Sequence, residues 1–411
     1  MSNLNNKCSV LLINQVFYPD VAATAQHGHD LARHLVAQGH KVSVIASRSI
    51  YGSKGAALPS YEEFEGIRIH RVAKSYFGKS SILSRVFDFA LFYLAATWKA
   101  LWLKKHDVSI CFTTPPFIAL LGRMLKMIKG SRMIYWVMDL YPDLPVACGV
   151  MKPASPATRF FESVNRYCLC SADAVVVLGR CMRDRVIAKN IPPERVSIIG
   201  VWADENEVKP TQRATNTYRV QWDVGDRFLV MYSGNFGLGH DVETFLDAAV
   251  QLQDDDRIRF AFVGGGKKKE IVDQRVKQEG LTNCVLAPYQ PREKLGELLT
   301  AADCQLISLL EGIEGIMVPC KLFGIMSAGR PALFIGSETS EISRVIDESD
   351  CGITVEQGDG DSLAKAIQCY ANGEHDFKLA GERARTALTE KYSSAIRCKQ
   401  WEQLIIQVAK R

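Results

Sequence analysis

The chain has no Cys-x-x-Cys pair, although it carries 12 cysteines in 411 residues. Cys168 and Cys170 stand closest, and their spacing is not a zinc signature. Others, such as Cys111, Cys284 and Cys304, lie inside apolar runs, where a free thiol behaves as a small buried hydrophobe. They read as core residues of a protein kept in a reducing compartment, not as a disulfide framework. Also absent is any uncharged apolar run of about 20 residues, so no helix clearly spans a membrane. The apolar run at residues 10–13 is too short for the core of a secretory signal. No Walker loop occurs, and no glycine fingerprint has dinucleotide spacing, which leaves a dinucleotide-dependent oxidoreductase the weakest reading. A net charge of +5 is modest. It fits weak attraction to anionic lipid or phosphate-bearing substrates and does not argue for nucleic acid. There is no repeat of solenoid period and no low-complexity tract.

What is present is ordinary globular composition, with 47% hydrophobic and 23% charged residues, in a length that suits two or three domains. Short apolar runs at 10–14, 42–46, 67–72, 108–113, 133–137 and 174–178 alternate with helical segments. That rhythm implies a parallel sheet with helices on both faces. Residues 202–226 are polar, contain Pro210 and lack a period. The same grammar then restarts, with strands expected at 228–232, 259–263, 283–286, 304–308 and 331–335. Helices are expected at 242–252, 292–302 and 319–328, and residues 392–409 read as a helix added after the second sheet. The fold class is α/β, with two Rossmann-like domains facing across a cleft. Residues 1–205 form the first domain, 206–390 the second and 391–411 a C-terminal helix. Ligands of such sheets bind outside the carboxyl ends of the strands.

The turn at 233–240 joins a strand to a helix and contains Gly234, Asn235, Gly237 and His240. Glycines let the backbone approach a ligand, and a helix start offers free N–H groups to phosphate. The plainer reading is an ordinary turn. Gly264 and Gly265 follow another strand and can line a cleft floor, while Lys267, Lys268 and Lys269 read as a solvated helix face. In the stretch 311–331, Glu311 and Glu314 make a flexible acidic loop and Pro319 suits the first turn of a helix. Lys321 stands near that helix start, and Arg330 opens the next strand. A carboxylate for hydroxyls with N–H groups and a lysine for phosphates fits a sugar diphosphate.

In the first domain, Asp139 and Asp143 follow the fifth strand, and either could accept a proton from a hydroxyl. A capping role is the other reading of Asp143. Thr114 ends the fourth strand, Ala23 and Thr24 lie in a loop of small residues, and His27 and His29 begin the first helix. Residues 81–103 are unusually apolar and aromatic. They read as a core helix, or as a face that rests on a membrane or meets a lipid acceptor.

These pieces, in order, are FYPD followed by LARHLVAQGHKVSVIA, then TTPPF, VMDLYPD, VVLGRCMRDRV, GVWADENEV, YSGNFGLGHDVETFLDAA, FVGGG and VPCKLFGIMSAGRP. The whole chain resembles the family-four retaining glycosyltransferases of the glycosyltransferase-B fold, in the bacterial branch that assembles O-antigen, capsule and colanic-acid units. The resemblance implies a nucleotide-sugar donor, UDP-linked and carrying an N-acetylamino sugar, bound by the second domain. It implies a polyprenyl-diphosphate-linked saccharide as acceptor on the first domain, retention at the anomeric carbon and no obligatory metal or other cofactor. The final helix would cross back onto the first domain, and the enzyme would work peripherally at the cytoplasmic face of the inner membrane.

Carried onto this chain, the resemblance gives Asp139 the acceptor hydroxyl and Glu314 a donor hydroxyl. Gly234, Asn235, Gly237, His240, Gly264, Gly265, Lys321, Arg330 and Glu341 would surround the donor. Ala23, Thr24, His27, Thr114 and Asp143 would surround the acceptor. The chain departs from the family where its paired glutamates are expected, since those positions hold Ile316 and Gly324. Asn235 replaces the usual arginine of the glycine turn, His240 or Asp241 falls near the usual lysine, and Met138 or Asp139 stands where a histidine is common. A sugar-nucleotide epimerase of the same shape and a non-catalytic assembly subunit are the rival readings.

Overall fold

A computed structural model describes residues 7–50, 57–74, 82–211 and 213–411, with side chains of 82–85 excepted. Contacts divide the chain into two units, Met1–Gly200 with Ala395–Arg411, and Val201–Ser394. Among the described residues the first unit holds eight strands: β1 (Ser9–Ile13), β2 (Lys41–Ser47), β3 (Tyr61–Phe64), β4 (Ile67–Val72), β5 (Val108–Cys111), β6 (Arg132–Trp136), β7 (Ala174–Val177) and β8 (Val196–Ile198). Their order in the sheet is β3-β4-β2-β1-β5-β6-β7-β8. Strands β5 and β7 are buried along their whole length, and so is β1 after its first residue. Helices covering both faces explain why these strands read as unbroken apolar runs instead of alternating ones.

The edge differs from the expected all-parallel sheet. Tyr61–Phe64 folds back antiparallel on β4. The turn is Glu65-Gly66, with φ of 51° and 76°, the positive pair that a tight two-residue hairpin requires. Glu62 and Glu63 give this strand a charged edge, which protects an open sheet but hides the strand from a search for apolar runs.

Six strands form the described sheet of the second unit: β9 (Phe228–Asn235), β10 (Ile258–Gly265), β11 (Cys284–Ala287), β12 (Cys304–Ser308), β13 (Ala332–Ile335) and β14 (Gly352–Val355). The order is β11-β10-β9-β12-β13-β14, parallel throughout. β9 and β10 run beyond their apolar segments because Gly234 and Asn235 continue the ladder opposite Gly264 and Gly265. Phe245, Phe260, Phe262 and Tyr232 fill the core on one side of this sheet. The expected helix at 319–328 is shorter, Lys321–Ser327, and that at 292–302 splits into a 3-10 turn, Arg292–Lys294, and a helix, Leu295–Ala301.

In each sheet the chain leaves a central strand in one direction and later returns on its other side. The reversal lies between β1 and β5 in the first unit and between β9 and β12 in the second. Two connecting loops diverge there and leave a crevice at the carboxyl ends of the strands. The helix Ser394–Ala409 belongs to the first unit. Its Trp401 is fully buried with its ring 4.4 Å from that of Trp136, and Glu402 meets His34 and His40, each at 3.2 Å.

Candidate functional site

The switch point of the second unit is a set of loops fastened to one another. The Phe236 N–H donates to the Gly265 carbonyl (2.8 Å), and the Lys268 N–H donates to the Phe236 carbonyl (2.9 Å). Across to β12, the Leu310 N–H donates to Gly239 (2.9 Å) and the Ser308 hydroxyl to the Asp241 carbonyl (2.7 Å). The two glycine turns are stacked so closely that a Cβ on Gly264 would lie 2.0 Å from the Gly234 carbonyl oxygen, at a φ of +133°. Only glycine permits that approach. The turn is therefore rigid before any ligand arrives, which is what electrostatic recognition of a charged group requires.

Lys321 begins the helix Lys321–Ser327 and lays its side chain against this turn. Its ammonium donates to the Tyr232 hydroxyl and to the Asn235 carbonyl (3.4 Å), and stands 3.8 Å from the Tyr232 ring centre. Among the described residues, no Asp or Glu carboxylate is placed against it as an ion-pair partner. Burial, which penalises the charged form, lowers its pKa to about 7. A desolvated cation on a fixed ring of backbone groups can gain much from an incoming anion.

His240, expected at the donor, lies beside this cation but supplies no charge. A carbonyl can only accept, so the ring donates from Nδ1 to Ser308 O (2.7 Å). Burial and the nearby Lys321 lower its pKa to about 3, leaving the imidazole neutral. Lys268 was missed as a site residue and was expected on a solvated face. Its Nζ donates to the His240 carbonyl at 2.6 Å, and it is half-buried at the turn, while Lys269 pairs with Asp273. The signal for Lys268 was its position two residues beyond the glycines at the carboxyl end of β10. Tyr289, also missed, follows the carboxyl end of β11. It donates its hydroxyl to Gly265 O (3.0 Å) and leaves 59% of its surface exposed.

Glu314 and Glu341 line one small cavity with Met317, Pro319 and Ser340. Ser340 caps the helix Glu341–Ser349 through the Ser343 N–H (3.1 Å). The loop of Glu314 reaches the glycine turn, since a Cβ on Gly239 would touch Met317 and Ile313 at 3.3 and 3.4 Å. Gly234, Asn235, Gly237, His240, Gly264, Gly265, Lys321, Glu314 and Glu341 are thus gathered at one end of this unit.

Arg330, expected at the donor, is not among them and lies at the opposite end of the sheet. Its guanidinium donates to the carbonyls of Ala302 (2.6 Å) and Thr300 (2.8 Å). Those residues precede β12, and Arg330 itself precedes β13, so it sits at the amino ends of the strands. Asp303 lies in the same cluster, accepting from Arg219 and Arg213, each at 3.1 Å. This is a structural network that closes the blunt end of the sheet.

In the first unit, the loops after β1 and β5 meet at the switch point, where the Gln15 N–H donates to Thr114 O (2.7 Å). Ala23 and Thr24 open the helix Ala23–Ala37 at the end of the β1 loop. Asp139 follows β6, and its N–H donates to Thr113 Oγ1 (3.4 Å). The residue is half-buried, and desolvation of its carboxyl raises the pKa to about 6. Such a group is ionised at neutral pH yet basic enough to take a proton. Asp143 has another commitment: it starts the helix Asp143–Ala147 and pairs with Lys189 at 3.0 Å, which also meets Glu162 at 2.8 Å. His27 is buried in the second turn of its helix, next to Gly28, which packs on Phe112 and Phe17. His29 stacks on Tyr18 at 4.7 Å and pairs with Glu65 at 3.1 Å.

Comparison with known proteins bears on both units. Residues 23–202 match the model of the glycosyl transferase 4-like domain, and residues 227–372 that of the glycosyl transferases group 1. The chain is 30% identical over 317 residues to the probable glycosyltransferase WbjE of Pseudomonas aeruginosa, covering 76% of this chain and 77% of the relative. It is 26% identical over 362 residues to WcaI of Escherichia coli K12, a glycosyl transferase whose name places it in colanic acid biosynthesis, covering 84% and 87%. The structure of Anabaena Alr3699/HepE in complex with UDP-glucose superimposes with a TM-score of 0.72 at 13% identity, covering 97% of this chain and 99% of that one.

Proposed function

We propose a retaining sugar transfer for this chain, which belongs to the glycosyltransferases: its first domain is of the glycosyl transferase 4-like kind and its second of group 1. It is an enzyme of the GT-B fold that uses a nucleotide-activated sugar. The finer reading is a family-four enzyme that moves an N-acetylamino sugar from a UDP-linked donor. The acceptor is a polyprenyl-diphosphate-linked saccharide in the synthesis of a surface polysaccharide, at the cytoplasmic face of the inner membrane.

The observation that carries this reading is Lys321. It is a desolvated ammonium, without a carboxylate against it among the described residues, held on a rigid glycine turn at the switch point. A diphosphate leaving group develops its negative charge at such a cation, with Lys268 held at the same turn by the His240 carbonyl and no metal required. The exposed ring of Tyr289 offers a surface on which a base stacks. Neutral His240 accepts from a sugar hydroxyl, and Glu314 holds another. Asp139 takes the proton of the acceptor hydroxyl as that oxygen bonds to the anomeric carbon. The bond from that carbon to the diphosphate breaks on the same face, and the nucleotide leaves with the electron pair. Same-face attack retains configuration without an enzyme nucleophile. UDP as the nucleotide is favoured by the UDP-glucose held by the Anabaena protein of the same fold. A surface-polysaccharide acceptor is favoured by the name of WcaI.

The test is a thermal-shift comparison of UDP, GDP, dTDP and ADP, with and without EDTA, repeated on Lys321→Ala. Stabilisation by UDP that survives EDTA and is lost in the variant supports the reading. Preference for another nucleotide, or an undiminished shift in the variant, overturns the base or the site.

A further inference from the structure

The helix Ile82–Trp102 is apolar on two sides, yet the sheet needs only one of them. Phe92, Ala96 and Ala100, four residues apart, are fully buried. The opposite stripe carries Leu94, Trp98 and Trp102 at 72%, 66% and 73% exposure. The two indole rings lie 5.7 Å apart, forming one surface. The neighbouring helix Ala119–Lys129 adds Met127 and Ile128, exposed by 63% and 60%. Lys129 ties the ends of the two helices together by donating to the carbonyls of Ala100 (2.8 Å) and Leu103. Large apolar side chains exposed side by side along one helix face mark an interaction surface, not scattered surface hydrophobes.

Charge identifies what covers it. Between residues 81 and 132 the sequence has eight Lys or Arg and two Asp; Lys126 and Arg132 are paired with Asp173 at 2.9 and 3.4 Å, and the segment still carries an excess of positive charge. Neither acid is on the patch: Asp88 is buried, and Asp107 accepts from the Ser9 N–H and hydroxyl, each at 2.7 Å. Lys104 and Lys105 follow Trp102 directly and are exposed. Indole rings rimmed by lysines are the chemistry of a bilayer interface, the rings lying at the headgroup level and the ammonium groups reaching for anionic phosphates. We infer that the outer face of this helix pair is a docking surface for an anionic lipid bilayer. The surface is independent of donor chemistry; it rests on the proposed placement at the inner membrane and deepens it by naming the residues that hold the enzyme there.

The test uses the full chain and extruded vesicles, of phosphatidylcholine alone or with phosphatidylglycerol. The expected result is co-sedimentation with the anionic vesicles and a blue shift of tryptophan emission. Trp98→Ser with Trp102→Ser lowers partitioning by about tenfold or more. Lys104→Gln with Lys105→Gln lowers it about thirtyfold on anionic vesicles only, since each basic residue contributes there. Both variants change exposed side chains, and a retained UDP thermal shift shows that they fold. Failure of the wild-type chain to sediment overturns the inference, as does sedimentation of both variants undiminished from that of the wild type. A dimer that dissociates in the Trp98→Ser, Trp102→Ser variant overturns it too, because a second copy then covers the face. If UDP fails to shift the wild type while the vesicle results hold, the donor reading falls and the docking surface stands. Circular dichroism then serves as the folding control.

Discussion

Raising the pH should weaken donor binding in a way that Lys321 alone accounts for. In the free protein burial holds its pKa at about 7. A diphosphate placed against the ammonium stabilises the charged form and raises that pKa, so binding above neutral pH must take up a proton. By linkage the apparent affinity then falls toward tenfold per pH unit, about 1.4 kcal/mol, once the free lysine is neutral. From pH 7 to 8.5 the expected loss is about fifteenfold. A nucleotide sugar has no phosphate proton to lose in this range, so it is a cleaner probe than UDP. Calorimetry in two buffers of different ionisation enthalpy counts the protons: about half a proton at pH 7, and about nine-tenths at pH 8. Lys321→Met should bind weakly without pH dependence, whereas Lys321→Arg should bind with a flat profile because guanidinium stays charged. Equal affinity at pH 7 and 8.5 in the wild type, with no proton uptake, would refute the reasoning.

Other outcomes follow from the same geometry. Because Asp139 is raised from the ordinary 3.8 to about 6, the folded state binds its proton more tightly than the unfolded chain does. Its stability penalty is complete above pH 6 and vanishes below about pH 4. Asp139→Asn should therefore raise stability near pH 7.5 by about 1–3 kcal/mol, a gain that disappears in acid, while transfer falls by a factor of about a hundred or more. Thermal melts across pH and a transfer assay check both halves. In the wild type, kcat/KM for the donor should rise through about pH 6 and fall above about 7, the limbs set by Asp139 and Lys321. Arg330→Ala should cost about 2–4 kcal/mol in a urea melt through its abandoned carbonyls, yet leave UDP affinity of the folded protein unchanged. Gly264→Ala should abolish UDP binding, since its Cβ would sit 2.0 Å from the Gly234 oxygen and displace the turn, a loss read by calorimetry.

The sequence made the parallel strands legible because burial on both faces leaves uninterrupted apolar runs. It hid β3, whose backbone pairs with β4 but whose half-exposed side chains, Glu62 and Glu63 among them, form no apolar run. That the glycine turn and Lys321 lie together could be read because each follows the carboxyl end of a strand in the second sheet. Arg330 was misplaced for a reason that topology explains. A residue just before a parallel strand lies at its amino end, away from the ligand, and adjacency to Gly329 and Pro331 does not reveal this. Lys268 was hidden by its lysine neighbours, which look alike until the fold turns one of them toward His240 O. His240 was legible as a position but not as a charge, because its tautomer is set by Ser308, far along the chain, and its neutrality by burial and the nearby Lys321. Asp139 and Asp143 look equivalent in sequence, and only the pairing with Lys189 separates them.

The most direct test of the account is the stereochemistry of the product. The chain would be incubated with α-configured UDP-N-acetylhexosamines and a short-chain polyprenyl-diphosphate-linked saccharide, and the new anomeric proton followed by NMR. The account requires a glycosidic bond formed with the α configuration kept, at a rate insensitive to EDTA. A β-linked product, or conversion of the donor sugar with the acceptor untouched, would contradict it.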